Sequence, residues 1–194
     1  MAIHGRRLDA LWKLSTNAAL HEDDITRALL TIAAAALRPG HAFGAHLLRV
    51  EADVLVVEET ISRGPHAAWL PSTGATIEVA ASVFRDIATT GGTRSCADVA
   101  RSPEFATLRT GRELGARSFI GYAFRAGLSM YVVALVSAQA LAEPFGEDDI
   151  HFVESLTTLL EPRLARRRTM RQGLMNCDPP PVGAGALVAH GSMP

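Results

Sequence analysis

Lysine is almost missing from this chain: of 19 basic residues, Lys13 is the only lysine and the rest are arginine. Twenty acidic residues bring the net charge to −1. No excess of positive charge is left to follow a phosphate backbone or an anionic bilayer, so neither nucleic acid nor membrane is an expected partner. The lone lysine also excludes a G-x-x-x-x-G-K phosphate loop, and Gly91-Gly92 stands without that pattern. Cysteine is nearly as scarce. Cys96 and Cys177 lie in very different contexts, which argues against a disulfide framework and makes a reducing cytoplasm the expected compartment. No apolar run approaches the roughly 18–20 residues of a membrane helix. The N-terminus, MAIHGRRLDALWKL, carries Asp9 and no small-residue cleavage site after an apolar block, so a secretory signal is not expected. No G-x-S-x-G elbow is present for nucleophilic catalysis. His4, His21, His41, His46, His66, His151 and His190 form no compact metal-ligand spacing, and His41 with His46 reads at most as a strand-edge pair.

What is present suits one well-buried core in 194 residues, 48% of them hydrophobic and 20% charged. Helical spacing of Leu8, Leu11, Trp12, Ser15, Ala18 and Ala19 marks a helix over Arg6–Leu20. A second helix over His21–Leu37 has acids in its first turn and a stripe of Ile25, Leu29, Ile32, Ala33, Ala36 and Leu37. Arg38-Pro39-Gly40 ends it. Ala42–Glu51 and Val54–Ile61 read as strands joined by a tight turn at Ala52-Asp53. A loop over Ser62–Ala75 carries Trp69. Thr76–Val79 is a short strand, and a helix from Ala80 or Ser82 to Ala88 presents Val83, Phe84 and Ile87. Thr93–Ala97 is a further short strand, and Ser102-Pro103-Glu104 has the form of a helix start. Arg117–Arg125 and Leu128–Ser137 form an antiparallel pair around Ala126-Gly127. Ile120, Tyr122 and Phe124 share one face of the first strand, and Met130, Val132, Ala134 and Val136 share one face of the second. The last helix opens at Glu147-Asp148-Asp149. It carries a stripe of Ile150, Val153, Leu156, Leu160 and Leu164, contains Pro162 as a possible kink, and ends in Arg166–Arg168, which reads as a solvated helix end. From Asn176 a proline-rich, low-complexity tail follows.

This order of elements, with Gly115 before Arg117-Ser118, Gly127 at the hairpin, and Pro144-Phe145 before Glu147, Asp149 and Ile150, resembles the GAF family of small-molecule sensor domains. The resemblance covers residues 6 to 168, with Gly146 where the family usually has Ser or Thr. It implies an α+β fold: a six-stranded antiparallel sheet, terminal helices on one face, and a ligand pocket under loops and short helices on the other. The domain organisation that follows is an N-terminal helix at 1–20, able to dimerise, a sensor domain at 21–168 and a flexible tail at 169–194.

Candidate ligand-binding residues on this basis are Trp69, Phe84, Cys96, Phe105, Leu108, Arg109, Arg112, Phe119 and Tyr122. The opposing reading is that Phe84, Phe105 and Phe119 fill the site and no ligand enters. Some GAF relatives attach a bilin through cysteine, usually with histidine next to the thiol. Ala97 follows Cys96 here, which argues against bilin, and the missing Asn and Lys of the cyclic-nucleotide signature argue against that ligand. A haem-ligating histidine stays open, and the cofactor is unknown. The expected function is a non-catalytic sensor that binds a small molecule and relays its state through the terminal helices of a homodimer to an output domain of histidine-kinase or cyclase type. The alternatives are a free-standing methionine-sulfoxide reductase, for which Cys96 alone is poor equipment, and a ligand-free dimerisation module.

Overall fold

A computed structural model describes Asp9, Trp12 and residues 22–38, 41–62, 71–105 and 115–175, with only the backbone of 22, 23 and 171–175. Asp9 and Trp12 are helical, and Trp12 is exposed. The rest of the expected helix Arg6–Leu20 lies outside the described residues. Helix α1, Glu22–Ala36, buries Ile25, Thr26, Leu29, Leu30, Ala33 and Ala34, and Leu37 just past its end is buried with them. Its buried stripe is therefore centred on Leu29 and Leu30, and Ile32 and Ala36 sit at its partly covered margin.

Strands β1, Gly44–Glu51, and β2, Val54–Ile61, form the expected hairpin. Ala52 takes φ 45° in the turn, a left-handed conformation that glycine or asparagine adopts with less strain. Strand β3 is Thr76–Glu78. Helix α2 begins only at Arg85 and runs to Thr90, later than its sequence suggests. The hydroxyl of Ser82 accepts the Phe84 N–H at 3.0 Å, and such local side-chain bonds compete with a helical start. Strand β4 is Gly92–Cys96. The segment after it is not helical at Ser102: a 3₁₀ turn spans Val99–Arg101 with Asp98 as its cap, and Ser102 is extended. The remainder of the expected helix, with Leu108 and Leu114, lies outside the described residues.

Strands β5, Ser118–Ala126, and β6, Ser129–Ser137, meet at a two-residue turn shifted to Gly127-Leu128, where Gly127 has φ 60°. Helix α3 spans Glu147–Met175 with Pro162 inside it. It continues past residue 168, where the flexible tail was expected to begin. Residues 176–194 lie outside the described residues.

The six strands form one antiparallel sheet in the order β3-β2-β1-β6-β5-β4. Its pleat separates two cores. On the helix face, Phe43, Ala45, Leu47, Ile120, Phe124, Tyr131, Val133 and Leu135 pack with α1 and with Phe152, Val153, Leu156, Leu160 and Leu164 of α3. On the far face, Leu48, Leu55, Val57, Phe119, Ala123, Val132, Ala134 and Val136 pack with Val83, Phe84 and Ile87. This is the α+β arrangement expected from the sequence. A bulge in β2 alters its alternation: Leu47 pairs with Glu59 and Leu48 with Val57, leaving Glu58 extra. Arg49 Nε donates to Glu58 Oε1 at 2.6 Å. Leu55 and Val57, before the extra residue, lie on the far face, and Ile61, after it, lies on the helix face, because one inserted residue reverses every later side chain.

Candidate functional site

Phe119 lies on the far face, on β5 beside the edge strand β4. It is fully buried, and its ring meets Phe84 edge-on at 5.5 Å and Phe105 edge-on at 5.2 Å between centroids. Three of the expected ligand-binding residues thus come together as one aromatic cluster. The cluster sits close to the sheet because β5 carries a glycine beside it. A Cβ added at Gly121 would lie 2.7 Å from Ile87 Cδ1 and 3.5 Å from Phe84 Cδ1.

Cys96 pairs across the strands with Phe119 and packs at the margin of the same core as a free thiol. Burial pushes its pKa up. Hydrogen bonds from the Asp98 backbone and the Ser102 side chain act against that, and the Asp98 and Glu104 carboxylates add to it. A thiol so placed is a weak nucleophile. Tyr122 departs from expectation as a pocket residue. It alternates with Phe119 along β5 and packs on the helix-face core, so the pleat puts it on the opposite side of the sheet from the phenylalanine cluster. Trp69, Leu108, Arg109 and Arg112 lie outside the described residues.

The strand-edge position expected of His46 with His41 does not hold for His46. It lies on β1, an interior strand, not at a sheet edge. Its cross-strand neighbours are Thr60 on β2 and Ala134 on β6, and only 3% of its surface is exposed. Nδ1 lies 2.9 Å from Thr60 Oγ1, and Thr60 Oγ1 donates to the Pro71 carbonyl at 2.9 Å. With the one hydroxyl proton on the Pro71 carbonyl, Nδ1 carries a hydrogen and donates it to Thr60, and Nε2 is the ring's acceptor. Burial lowers the His46 pKa to about 4, so the ring is neutral near pH 7. The available signal was a histidine in the middle of the apolar run Phe43–Leu48.

No protein-family model matches the sequence, and no curated protein matches it. Solved structures do match. The GAF domain of a phosphoenolpyruvate-protein phosphotransferase from Acinetobacter superposes with a TM-score of 0.64 at 13% identity, over 86% of this chain and 98% of that one. The free methionine-R-sulfoxide reductase of Neisseria meningitidis, solved with its substrate, gives 0.61 at 21% identity, over 85% and 93%. The GAF domain of a two-component sensor histidine kinase from Bacillus halodurans gives 0.55 at 16%, over 78% and 97%. The chain has the GAF fold. Identities at this level carry the architecture and leave the ligand open.

In this GAF fold the head of α3 is fastened to the end of α1. Arg38 donates through Nε and Nη2 to Asp149 Oδ2 at 3.2 and 2.6 Å, through Nη1 to the Glu143 carbonyl at 3.0 Å and through Nη2 to the Pro144 carbonyl at 2.6 Å. Its guanidinium also sits 5.0 Å from the centre of the Phe145 ring. Asp149 Oδ2 in addition accepts the Gly146 N–H at 3.1 Å, so the Phe-Gly-Glu-Asp-Asp segment caps the GAF helix and holds the arginine at once. Among the described residues of this GAF fold, no helix is long and apolar enough to cross a membrane, and no group of three or more His, Cys, Asp or Glu side chains is placed to hold a metal ion.

Proposed function

We propose that the chain is a sensor domain with no catalytic activity of its own. A small molecule held on the far face of the sheet biases the packing of the terminal helices, which pair two copies of the chain and pass the change to an output domain of histidine-kinase or cyclase type.

The observation that supports this is a short route from the far face to the head of α3. Phe119 belongs to the aromatic cluster, Cys96 borders it, and Ala97, the next residue, packs against the helix-face core. The Leu141 N–H donates to the Ala97 carbonyl at 2.8 Å, and the Arg117 N–H donates to the Ser137 carbonyl at 2.8 Å. The Ser118 hydroxyl donates to the Gln139 carbonyl at 2.7 Å. The segment linking β6 to α3 is thereby stitched to the strand ends under the cluster, and it leads directly to Phe145 and Asp149. A shift of β4 or β5 caused by a ligand would move this segment and the helix it feeds. The fold-level likeness to GAF domains of a sensor kinase and a phosphotransferase agrees with a regulatory role. The likeness to a methionine-sulfoxide reductase carries less weight, because the pKa of Cys96 is raised by burial.

Native mass spectrometry and an absorbance spectrum of the purified protein, followed by a thermal-shift panel of small metabolites, test the reading. A retained or added compound that slows amide exchange at the start of α3 in a dimer is the expected result. A stable monomer insensitive to loss of residues 2–20, with no compound changing α3, would overturn it. Thiol-driven reduction of free methionine-R-sulfoxide would overturn the non-catalytic part.

A further inference from the structure

Helix α3 is fastened unequally along its length. Before Pro162 it buries Phe152, Val153, Leu156 and Leu160, and Arg38 clasps its first turn. Past Pro162, among the side chains described, Leu164 is the one apolar residue that is buried. Arg163, Arg167 and Arg168 are half-buried, and Thr169 and Met170, which follow, are exposed. One leucine is little hold for a segment that also carries Arg163, Arg166, Arg167 and Arg168, whose like charges repel.

The opposite charge comes from the sheet. The β2 bulge sends two consecutive acids to the helix face, where a regular strand would divide them between the faces. Glu59 stands opposite Leu47 and accepts from Arg27 Nη1 of α1 at 3.0 Å. Glu58 accepts from Arg49 Nε at 2.6 Å. Arg49 is shared with Glu51, so its one charge does not fully offset that of Glu58. Arg49 is also the cross-strand neighbour of Tyr131, whose buried ring stacks on Phe124 in the helix-face core. Around the Tyr131 hydroxyl the sheet and the later part of α3 meet. Burial pushes the Tyr131 pKa up, the Glu58 carboxylate adds to that, and the guanidiniums of Arg168, Arg49 and Arg167 act against it. Arg167 and Arg168 are thus gathered near a carboxylate that is mostly buried, with 14% of the Glu58 side chain exposed. Shielded from water, such a charge acts on its neighbours more strongly than an exposed one.

We propose that the part of α3 past Pro162 is a strap, hinged at that proline and held to the sheet by charge with Glu58 as its anchor, and that it lifts from the sheet while the part before Pro162 stays packed. Pro162 supplies the hinge because it has no N–H for the Thr158 carbonyl, so the ladder is already broken there. The two acids of the bulge then have separate tasks: Glu59 holds α1, and Glu58 holds the strap. The device belongs to the fold whether or not a ligand binds on the far face, and it gives the later part of α3 two positions.

Amide exchange on the full-length chain tests this. Raising the salt from about 0.1 to about 1 M shortens the screening length from about 10 to about 3 Å. Residues 163–170 should then exchange about two- to fivefold faster, the scale of a partly exposed ion pair, and residues 150–160 should not change. Glu58→Gln at low salt should do the same and remove most of the salt effect. Glu59→Gln, one residue away, should leave residues 163–170 as they are. In a chain carrying both Arg167→Gln and Arg168→Gln, the effect of Glu58→Gln should largely vanish. An unchanged exchange rate at 163–170 in Glu58→Gln, or an equal change in Glu59→Gln, overturns the proposal, because Glu58 is then not the anchor. Acceleration spread evenly over 150–170 overturns it as well, because α3 then moves as one body. Should Glu58→Gln fail to fold, the salt response of the unmodified chain decides, and an even or absent response overturns the proposal.

Discussion

Arg38 Nη2 and Asp149 Oδ2 are 2.6 Å apart, although 111 residues separate them in the chain. Arg38 stands just past the end of α1, Asp149 in the first turn of α3, and the pair closes the helix face of the sheet at one end. Arg38→Met removes the ion pair, both carbonyl bonds and the contact with Phe145. It leaves Asp149 partly buried without its cation, and urea denaturation is expected to show a loss of about 2–4 kcal/mol. Arg38→Lys keeps the charge but not the planar fork, so its cost should fall between wild type and Arg38→Met.

Gly121→Ala drives a methyl group to 2.7 Å from Ile87 Cδ1. Overpacking of this kind costs about 1–3 kcal/mol. Ile87→Val in the same chain deletes the clashing methyl, so the double variant should be more stable than the sum of the two single losses predicts. An additive double variant would show that Gly121 is not set by the approach of Ile87.

The His46 pKa of about 4 in the folded protein lies below its ordinary 6.5. Between these values the unfolded chain binds the extra proton and the folded chain does not. The full stability is therefore present above about pH 6.5 and is lost as pH falls toward 4. Integrated over that window the loss is on the order of 3 kcal/mol. His46→Gln should flatten this part of a stability–pH curve, whatever its effect on stability at pH 7.

Pro162 lies exposed inside α3 and has no N–H to give to the carbonyl one turn earlier, at Thr158. Pro162→Ala restores that bond and loses no packing. A gain of about 1–3 kcal/mol in denaturation is expected, together with slower amide exchange on either side of residue 162.

Ala52→Gly in the β1–β2 turn relieves the φ of 45°. The strain removed exceeds the added chain entropy of glycine by a few tenths to about 1 kcal/mol, measurable as a small rise in Tm.

The sequence by itself determined the strand and helix order, the hairpin at Ala52-Asp53, the shared face of Ile120, Tyr122 and Phe124, and the acid-rich start of α3. These follow from periods of 2 and 3.6 residues and from capping, which are local and written along the chain. Parity alone already placed Tyr122 opposite Phe119, so a single pocket holding both was never open to β5. Three things were decided only by the tertiary structure. Arg38 finds Asp149 because α1 and α3 lie side by side, which no spacing in the sequence records. Gly121 is needed because α2 descends onto it. His46 meets Thr60 because Glu58 is one residue too many for the β1–β2 ladder, and that bulge reverses the side chains beyond it. Without the extra residue Thr60 would point to the helix face, and the buried histidine would have lost its fixed proton. Local patterns record the direction of each side chain relative to its own element; which distant side chain it faces depends on register, and register is settled only when the whole sheet packs.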